Sequence, residues 1–438
     1  MATTAATEPP AAAPTFPVMS RPRAAVAGVV AAIAALGVSE LLAGLLEEVP
    51  SLILGVAELF VDETPGGIVR WSIDLFGGSQ KTLLVIGIIV VTLALGALFG
   101  VLTRRSFGTG AAGFVAFGVV GAWATGRGAL NAASWAWIAA IVSAGAGVAV
   151  LWLLTQPAAA SPDKATLRAV EPIGVPDRRR FLVASGTVAA LGAAAGFAGR
   201  SLRVSRSVEG ARAEVAAVLD TPVPTIPGDV ATFDGTVDGI SPLVTPNADF
   251  YRIDTRLVAP QVDPAGWTLR IKGMVDTEVE LTFDDLLAMD QITEFVTLSC
   301  VSNEVGGDLV GNALWTGVPL AALFDRARPR PDATQIVGRS VDGWTAGFPI
   351  ETLEGNDACM VAIAMNGEPL PVRHGFPARL VIPGLYGYVS ATKWLSEIEL
   401  TTWEAFDGYW IPRGWSKEGP IKTQSRIDVP RSGADLTA

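Results

Sequence analysis

The sequence has 438 residues, of which 50% are hydrophobic and only 17% are charged, and its mean hydropathy is +0.42. Soluble domains carry about 25% charged residues, so this composition excludes a disordered chain or a coiled coil and favours a membrane region joined to a soluble one. The net charge of −11 argues against a nucleic-acid partner, and one histidine with two cysteines excludes a histidine-rich metal site and a disulfide scaffold.

Five apolar stretches are long enough to cross a membrane, for which a helix needs about 20 residues. They run about Ala24–Leu46, Thr82–Leu102, Phe107–Thr125, Ala133–Thr155 and Phe181–Gly199. The sequence therefore predicts a four-helix membrane region over residues 21–155 and a fifth span over residues 181–199. Residues 1–20 are expected to form a disordered cytoplasmic tail, and residues 156–180 a cytoplasmic linker. Ser51–Val61 is apolar but too short to span, and is predicted to be interfacial or part of an extracytoplasmic loop.

Basic residues between the spans predict the orientation of the chain in the membrane. The clusters are Arg21 with Arg23, Arg104 with Arg105, and Lys164 with Arg168 and Arg178–Arg180. All of these clusters fall on the cytoplasmic side if the N-terminus is cytoplasmic. The exceptions on the other side are Arg70, Lys81 and Arg127, and Arg200, Arg203 and Arg206 follow the fifth span against the rule. Five spans then leave residues 207–438 outside the cytoplasm, as the extracytoplasmic domain of a multi-pass cell-membrane protein.

The cluster before the fifth span carries a second signal. Arg178-Arg179-Arg180-Phe181-Leu182 resembles the twin-arginine export motif, and a plain basic anchor is the alternative interpretation. Both interpretations give the same direction of insertion. The motif adds that the domain folds before it crosses, as a protein loaded with a cofactor in the cytoplasm must.

Glu40 lies inside the first predicted span, and an intramembrane carboxylate is a functional candidate by default. No lysine, arginine or histidine lies within a predicted span to face it. We therefore expect a protonated or interface-facing carboxyl group that is hydrogen-bonded to a neighbouring helix, with no cationic side chain of a predicted span opposite it.

Residues 207–438 predict an α+β domain dominated by strands, because strands and short helices mix without a repeating βαβ order. The predicted strands are Trp267–Val275, Val279–Phe283, Ile292–Val301, Ala333–Arg339, Gly343–Phe348, Cys359–Met365, Ala378–Ile382 and Thr392–Thr401. One short helix is predicted to begin at Thr282 and end at Met289. A second is predicted over Val318–Ala327, with Pro319 in its first turn.

Cys300 ends a predicted strand where the chain opens into a polar, glycine-bearing loop. Four interpretations are open from the residues alone: a thiolate ligand of a soft metal, a buried free cysteine, a disulfide with Cys359, and a nucleophile paired with His374.

Five segments, in this order along the chain, resemble the sulfite oxidase family of molybdopterin enzymes. They are Thr245–Thr255, Leu298–Cys300 with Asn312–Leu320, Ser340–Trp344, Met365–Pro371 with His374–Gly384, and Tyr386–Leu395. The resemblance covers nearly all of the soluble domain. It implies an N-terminal multi-span α-helical membrane region followed by an α+β, sulfite-oxidase-like, molybdopterin-binding domain.

The resemblance also implies roles for nine residues. Cys300 matches the catalytic cysteine whose thiolate binds molybdenum. The cofactor-binding residues are expected to be Asn247, Tyr251 and Arg252 on the first segment, His374 and Arg379 on the fourth, and Ser390, Thr392 and Lys393 on the last. Arginine and lysine suit these roles because the pterin phosphate and dithiolene are anions.

Two departures from the family pattern refine the expected activity. Glu304 follows Cys300 where animal and plant sulfite oxidases have basic residues, which disfavours an anionic substrate such as sulfite. The residues after the last segment are too few for the immunoglobulin-like dimerisation domain of those enzymes. The chain is in this respect more similar to the exported methionine-sulfoxide reductase catalytic subunit of bacteria.

The expected function is a membrane-anchored oxidoreductase that transfers oxygen to or from a small extracytoplasmic substrate of the sulfite or sulfoxide type. A non-catalytic membrane receptor or assembly protein with the same fold is the alternative, and a thiol enzyme is a third. With one histidine and two cysteines, we expect neither haem nor an iron–sulfur cluster. The expected partners are membrane lipid and a separate electron carrier or quinone, with no nucleic acid.

Overall fold

The computed structural model describes residues 19–76, 79–128, 133–155, 178–219, 221–222, 237–304 and 306–430. Residues 1–18 of the predicted tail and 156–177 of the predicted linker lie outside this set. The chain divides into two compact units. The first comprises Met1–Ala57, Ser79–Arg127 and Asn131–Arg203, and the second comprises Glu58–Gly78, Gly128–Leu130 and Val204–Ala438.

Eight helices precede the first strand in the described part of the chain. They are α1 (Arg21–Leu45), α2 (Leu52–Glu63), α3 (Gly66–Phe76), α4 (Gln80–Leu102), α5 (Phe107–Gly126), α6 (Ala133–Thr155), α7 (Arg178–Ser205) and α8 (Glu209–Val218). Five of them, α1, α4, α5, α6 and the helix that begins at Arg178, are long and apolar enough to cross a membrane. Most of α2 is formed by Ser51–Val61, the segment predicted to be interfacial or part of an extracytoplasmic loop, and α3 follows it.

Helices α1 and α7 approach each other through facing glycines. A Cβ atom at Gly37 would lie 2.1 Å from the carbonyl oxygen of Gly192, and one at Gly44 would lie 2.3 Å from that of Gly199. Small residues allow this backbone contact, which is a common way for helices to associate in a bilayer.

Glu40 lies between these two glycine contacts and has a cationic partner, contrary to the sequence-based expectation. Its Oε2 accepts a hydrogen bond from Nη2 of Arg203 at 2.8 Å, and its Oε1 accepts one from Oγ of Ser51 at 2.5 Å. The expected hydrogen bond to a neighbouring helix is present, but its donor is a cation. That cation was missed because the predicted fifth span ended at Gly199, whereas α7 continues to Ser205 and carries Arg203 on its last turn.

The second unit contains two five-stranded sheets. Their strands are β1 (Thr268–Gly273), β2 (Val279–Thr282), β3 (Ile292–Ser299), β4 (Val310–Pro319), β5 (Gln335–Ser340), β6 (Thr345–Pro349), β7 (Met360–Met365), β8 (Glu368–Pro369), β9 (Arg379–Val381) and β10 (Leu395–Thr401). One sheet has the order β2-β1-β10-β5-β6, with β1 and β10 parallel. The other has the order β3-β4-β7-β8, and β9 pairs with β7. Three short helices, α9 (Phe283–Ala288), α10 (Leu320–Ala327) and α11 (Gly387–Ser390), connect strands of these sheets. The predicted α+β, strand-dominated class of this region is confirmed.

Local sequence accounts for most of these elements. Helix α9 begins with a capping box, because the Thr282 hydroxyl accepts from the amide of Asp285 and the Asp285 carboxylate accepts from the amide of Thr282. The prediction for Val318–Ala327 was partly wrong: Val318 and Pro319 end strand β4, and α10 begins only at Leu320.

A buried ion pair accounts for the acidic residue in the Ser340–Trp344 segment. The Asp342 side chain is 2% exposed, and its Oδ2 lies 3.5 Å from Nε of Arg256. The same guanidinium donates to the backbone carbonyl of Asp342 and pairs with Glu58 at 2.8 Å. Arg256 therefore joins residue 58 to the loop after β5 within the second unit.

Candidate active site

The predicted site residues lie on four elements of the second unit. They are the segment 245–254, the end of β3, the turn that leads into β9, and the chain from α11 to β10. The first segment has no regular structure and is attached by hydrogen bonds to β4. The Thr245 amide donates to the carbonyl of Asn312 at 2.8 Å, and the Asn312 side-chain amide donates to the carbonyl of Leu243 at 2.9 Å.

Cys300 follows the last residue of β3, and its side chain is half-buried. Its backbone amide donates to the carbonyl of Leu309 at 2.9 Å, so both ends of the following loop are joined at this residue. The thiol is free, as is that of Cys359, which rules out the disulfide interpretation in this structure. Burial raises the pKa of the Cys300 thiol, and hydrogen bonds from Ser302 offset part of that rise.

An aromatic cluster supports the segment 245–254. Phe250 is buried and stacks on Tyr251 at a centroid distance of 5.2 Å. It also meets Trp315 and His374 edge-on, at 5.7 Å and 5.5 Å. A Cβ at Gly387 would lie 3.7 Å from the Tyr251 hydroxyl, so the glycine leaves room for the phenol beside α11.

Tyr251 shares the electrostatic environment of the site residues around it. Burial raises the pKa of its phenol, and the positive charge of Arg379 acts in the opposite direction. The charge of Cys300 raises the pKa of the same phenol further. The three side chains predicted as separate site residues are therefore close enough to influence each other.

His374 is 1% exposed and lies in a turn of 3-10 helix over Val372–His374. Its Nε2 is 3.2 Å from the carbonyl oxygen of Asn247 and 3.3 Å from Nε of Arg373. Burial, followed by the charge of Arg379, lowers the pKa of the imidazole to about 3, so the ring is neutral at physiological pH. No hydrogen bond joins His374 to Cys300 among the described residues, which argues against a cysteine–histidine nucleophile.

Arg379 opens β9 and is 4% exposed. Its Nη1 donates to the carbonyl of His374 at 3.1 Å, and its guanidinium lies over the ring of Trp315 at 5.0 Å. No carboxylate pairs with it among the residues that the structure describes. The buried guanidinium therefore lacks, among these residues, the anionic partner that a buried arginine ordinarily has. Burial lowers its pKa to about 10.

Lys393 and Arg252 share a single carboxylate. Nζ of Lys393 and Nε of Arg252 lie 2.9 Å and 2.7 Å from the same Oδ2 of Asp254, whose side chain is 4% exposed. Burial lowers the pKa of Lys393 to about 8, although Asp254 opposes that effect. Sequence reasoning missed Asp254, although its spacing of two residues from Arg252 was visible within the segment.

Ser390 and Thr392 are fully buried beside these charges. The Ser390 hydroxyl donates to the carbonyl of Tyr386 at 3.1 Å. The Thr392 hydroxyl has no hydrogen-bond partner in the described part of the chain. Gly375, with φ +112°, brings the His374 turn against this chain, since a Cβ there would lie 3.1 Å from Cα of Lys393.

Asn247 and Arg373 hold the first segment in position. The Asn247 side-chain amide donates to Glu368 at 2.6 Å and to the carbonyl of Met365 at 3.1 Å, and its oxygen accepts from Asn366 at 2.8 Å. Its side chain is thus engaged within the protein. Arg373, which sequence reasoning missed, donates to the carbonyl of Asn247 at 3.1 Å and to that of Ala248.

The site around His374 contains more positive than negative side chains. Four cations lie there, and a single carboxylate pairs with them among the described residues. Three of them, Arg373, Arg379 and Lys393, act on the His374 pKa, and Arg252 acts on that of Lys393. Asp254 is the one carboxylate that pairs with any of the four within the described ranges. A buried positive excess, an unpartnered threonine hydroxyl and a free thiol together fit a multiply charged anion that also offers a thiolate-binding metal.

Comparison with known proteins gives the family of this domain. The model of the oxidoreductase molybdopterin binding domain matches residues 256–410. The uncharacterized oxidoreductase YuiH of Bacillus subtilis is 32% identical over 157 residues, which cover 36% of this chain and 76% of that protein. The mitochondrial sulfite oxidase of Drosophila melanogaster is 28% identical over 212 residues, and the NADPH nitrate reductase of Beauveria bassiana is 31% identical over 173 residues.

The matches differ in how much of each protein they cover. The chain spans 36% of the length of that sulfite oxidase and 19% of that nitrate reductase, while the matches cover 43% and 35% of this chain. Among solved structures, the sulfane dehydrogenase SoxCD of Paracoccus pantotrophus has a TM-score of 0.34 and 27% identity, over 37% of this chain and 44% of that one. The shared domain and the YuiH match together show that the chain is an oxidoreductase of the sulfite oxidase family, with a molybdopterin-binding domain.

Proposed function

We propose that this chain is a membrane-anchored molybdenum oxidoreductase that transfers an oxygen atom to or from a small extracytoplasmic substrate, with two electrons exchanged in each turnover. The observation that carries the proposal is the buried positive excess around His374, which lies in the same unit as a half-buried free thiol. When bound, the molybdenum cofactor supplies the two-electron redox centre and the exchangeable oxygen.

The side chains have distinct proposed roles. Cys300 would supply the thiolate ligand of the metal. Arg379 and Lys393 would neutralise the anionic cofactor, and the unpartnered Thr392 hydroxyl would hydrogen-bond it. The neutral His374 would add a hydrogen bond without adding charge.

The first segment and the α11 loop would close around the cofactor. Tyr251 and Arg252 belong to the segment that we propose as one wall of the binding site, and Ser390 to the opposite wall. Asn247 would affect the cofactor only indirectly, because its side-chain hydrogen bonds are already made to other residues of the protein. It is therefore proposed as a positioning residue.

Membrane anchoring is proposed from the outer faces of the long helices. Large apolar side chains on α4, α6 and α7 are exposed, among them Val90 at 58%, Ile141 at 68% and Phe197 at 75%. Exposure on this scale suits lipid and not water. The basic residues between the spans support an extracytoplasmic second unit.

Electron exchange is proposed to need a separate carrier. One histidine and two cysteines do not supply the ligands of a haem pair or of an iron–sulfur cluster, in addition to a molybdenum thiolate. We expect no haem absorption and no stoichiometric iron in the purified single chain. For the substrate, the acidic Glu304 in the loop that follows Cys300 favours a neutral acceptor or donor over sulfite.

Metal analysis tests the catalytic proposal. Full-length protein is produced in a host that makes the cofactor, and the molybdenum-to-protein ratio is measured for the native chain, Cys300→Ser and Cys359→Ser. We expect near-stoichiometric molybdenum in the native chain and in Cys359→Ser, and a loss of tenfold or more in Cys300→Ser. Equal molybdenum in both variants would contradict the role of Cys300, and no molybdenum in any of the three would contradict the proposal itself.

Reporter fusions test the orientation. A C-terminal reporter that is active only in the cytoplasm should be inactive, and one active only outside should work. Changing Arg178 and Arg179 to Lys should block export of the folded domain if the twin-arginine interpretation is right. Normal export of this variant would show that the arginines are not a twin-arginine signal and act only as a basic anchor before the span.

A further inference from the structure

Residues 416–428 form an irregular segment of the second unit, which we call the strap. Its first half is joined to the loop that precedes α11. The Tyr386 amide donates to the carbonyl of Gly419 at 2.7 Å, and the Ile421 amide donates to the carbonyl of Gly384 at 2.8 Å. A Cβ at Gly419 would lie 2.7 Å from a methyl group of Val389, so the strap packs directly on α11.

The second half of the strap is joined to two other segments through Arg426. All three guanidinium nitrogens donate hydrogen bonds: Nη1 to the carbonyl of Gly307 at 3.1 Å, Nη2 to Oγ of Ser241 at 2.8 Å, and Nε to Oδ1 of Asp428 at 2.5 Å. The other carboxylate oxygen of Asp428 accepts from the amide of Ser241 at 2.9 Å. We call these four residues the Arg426 clamp.

The clamp holds together parts of the chain that are distant in sequence. Gly307 is 119 positions from Arg426, and Ser241 is 185 positions from it. Gly307 lies in the loop that follows Cys300, and Ser241 lies just before the site segment 245–254. The clamp therefore ties the loop after the proposed metal ligand to the chain that leads into the first cofactor segment.

The loop after Cys300 depends on hydrogen bonds for its order, because most of its described side chains have little packing. Ser302, Glu304 and Asp308 are all exposed. The Gly307 amide donates to the carbonyl of Glu304 at 2.8 Å, so a bond that fixes Gly307 also fixes the part of the loop nearer to Cys300.

We propose that Arg426 is a positioning residue for Cys300, because it holds the loop after the cysteine against the first site segment and thereby fixes the position of the thiol. The consequence for metal binding rests on the proposed function, whereas the ordering of the thiol does not. The positive charge of Arg426 would act through the loop and not on the cofactor or the substrate.

The contacts of Arg426 argue against a second role as a substrate-binding cation. Each of its three nitrogens already donates to an acceptor within the protein. The hydrogen bond from Arg426, followed by that from the Ser241 amide, lowers the pKa of Asp428 to about 2. This carboxylate is therefore ionised throughout the physiological range and balances the charge of Arg426.

The clamp is too exposed to contribute much to the stability of the whole unit. The side chains of Arg426 and Asp428 are 33% and 19% exposed, and ion pairs near the surface contribute little to the free energy of unfolding. Loss of the clamp should therefore change the order of the Cys300 loop far more than the stability of the folded unit.

Thiol labelling of the cofactor-free full chain in detergent tests the proposal. In a Cys359→Ser background, Cys300 is the one thiol of the chain, and its reaction with 5,5′-dithiobis(2-nitrobenzoic acid) reports how often the loop opens. Arg426→Met should raise the labelling rate at least tenfold, the change expected for one lost charge-assisted hydrogen bond. Ser241→Ala removes one of the three acceptors and should give a smaller increase. Equal rates in Arg426→Met and in the background chain would overturn the proposal.

Arg330→Met is the matched control. Arg330 is an exposed arginine of the same unit, and its Nε lies 3.8 Å from Oδ1 of Asp276. Its variant should be labelled at the background rate, and both arginine variants should keep the unfolding midpoint of the background chain in denaturant. Faster labelling in both variants, or a rise in Arg426→Met that is matched by a lower midpoint, would identify a general loss of stability and overturn the positioning role.

Arg426→Lys separates geometry from charge. Lysine keeps the positive charge but has one nitrogen in place of three, so this variant should be labelled nearly as fast as Arg426→Met. A background rate in Arg426→Lys would show that charge alone is enough, and would overturn the positioning role.

Molybdenum retention tests the consequence for the cofactor. On dialysis of the loaded chain, Arg426→Met should lose molybdenum faster than Arg330→Met, and equal loss would overturn the link between the clamp and the metal. Because labelling uses the cofactor-free chain, absence of molybdenum from the native chain would contradict only the proposed function. An unchanged labelling rate would contradict only this inference.

Discussion

Nζ of Lys393 and Nε of Arg252 contact the same carboxylate oxygen, Oδ2 of Asp254, at 2.9 Å and 2.7 Å. One buried negative charge thus faces two positive charges, of which Lys393 is mostly buried and Arg252 is 35% exposed. The two cations therefore need a further anion to balance their charge. The free energy of this three-residue cluster depends on whether Lys393 is protonated.

The first prediction concerns pH. Burial lowers the pKa of Lys393 from 10.5 to about 8, so in the cofactor-free chain its charge opposes folding below about pH 8 and this cost disappears between pH 8 and 10.5. An anionic cofactor favours the protonated lysine, so its retention should weaken as the pH rises through about 8. Lys393→Arg should retain molybdenum at pH 9.5, where the native chain loses it. Identical retention curves for the two proteins would contradict a titrating Lys393.

The second prediction separates cofactor binding from stability at Arg379. In the cofactor-free chain, Arg379→Met should change the free energy of unfolding by only about 1 kcal/mol, because the charge has no carboxylate to lose and the substitution preserves apolar bulk. The same variant should lose most of its molybdenum. A loss of about 3–5 kcal/mol, typical of a broken buried ion pair, would instead identify a structural arginine.

The third prediction uses the fact that the chain has one histidine. The pKa of His374 is lowered to about 3, so its protonation costs stability as the pH falls from about 6.5 towards 3. Nuclear magnetic resonance of the full chain labelled at histidine should show one imidazole that remains neutral at pH 5. A midpoint near 6.5 would mean that the ring is exposed, contrary to the structure.

Much of the fold could be predicted from the sequence, because apolar length and strand alternation are local signals. Strand β4 was missed for a physical reason. It is buried on both faces over most of its length, so it lacks alternation, and Gly317 and Pro319 look like the boundary of a turn. Gly317 is in fact required by close packing, since a Cβ there would lie 2.2 Å from the carbonyl oxygen of Val361.

The candidate site residues were predicted from the ordered segments that resemble a known family, and not from charge or reactivity alone. The ordered segments identified Cys300 and Arg379, whose side chains carry the proposed chemistry. Asp254 and Arg373 act through contacts with residues distant in sequence, 139 positions away for the Lys393 pair and 126 for the carbonyl of Asn247. Single-sequence patterns do not encode such contacts.

The fourth prediction concerns the ion pair of the first unit. Glu40→Gln and Arg203→Met should each destabilise the chain in detergent, and the double variant should be more stable than the sum of the two losses implies. We expect a coupling energy of about 1–2 kcal/mol from thermal unfolding of the four proteins. Arg200→Met is the control, because Arg200 is exposed on the same helix. Strictly additive effects would show that the two side chains do not interact.

The pairing of Glu40 with Arg203 also bears on biosynthesis. The two residues are 163 positions apart, so the ribosome delivers the carboxyl group on α1 long before the guanidinium on α7. Until α7 is made, the one other bonded partner of this carboxyl group among the described residues is Ser51. A chain that stalls before α7 therefore differs from a finished one by a buried acidic group without its cationic partner. Because a buried ionised carboxylate without a partner is costly, synthesis of α7 is the step that completes the environment of Glu40.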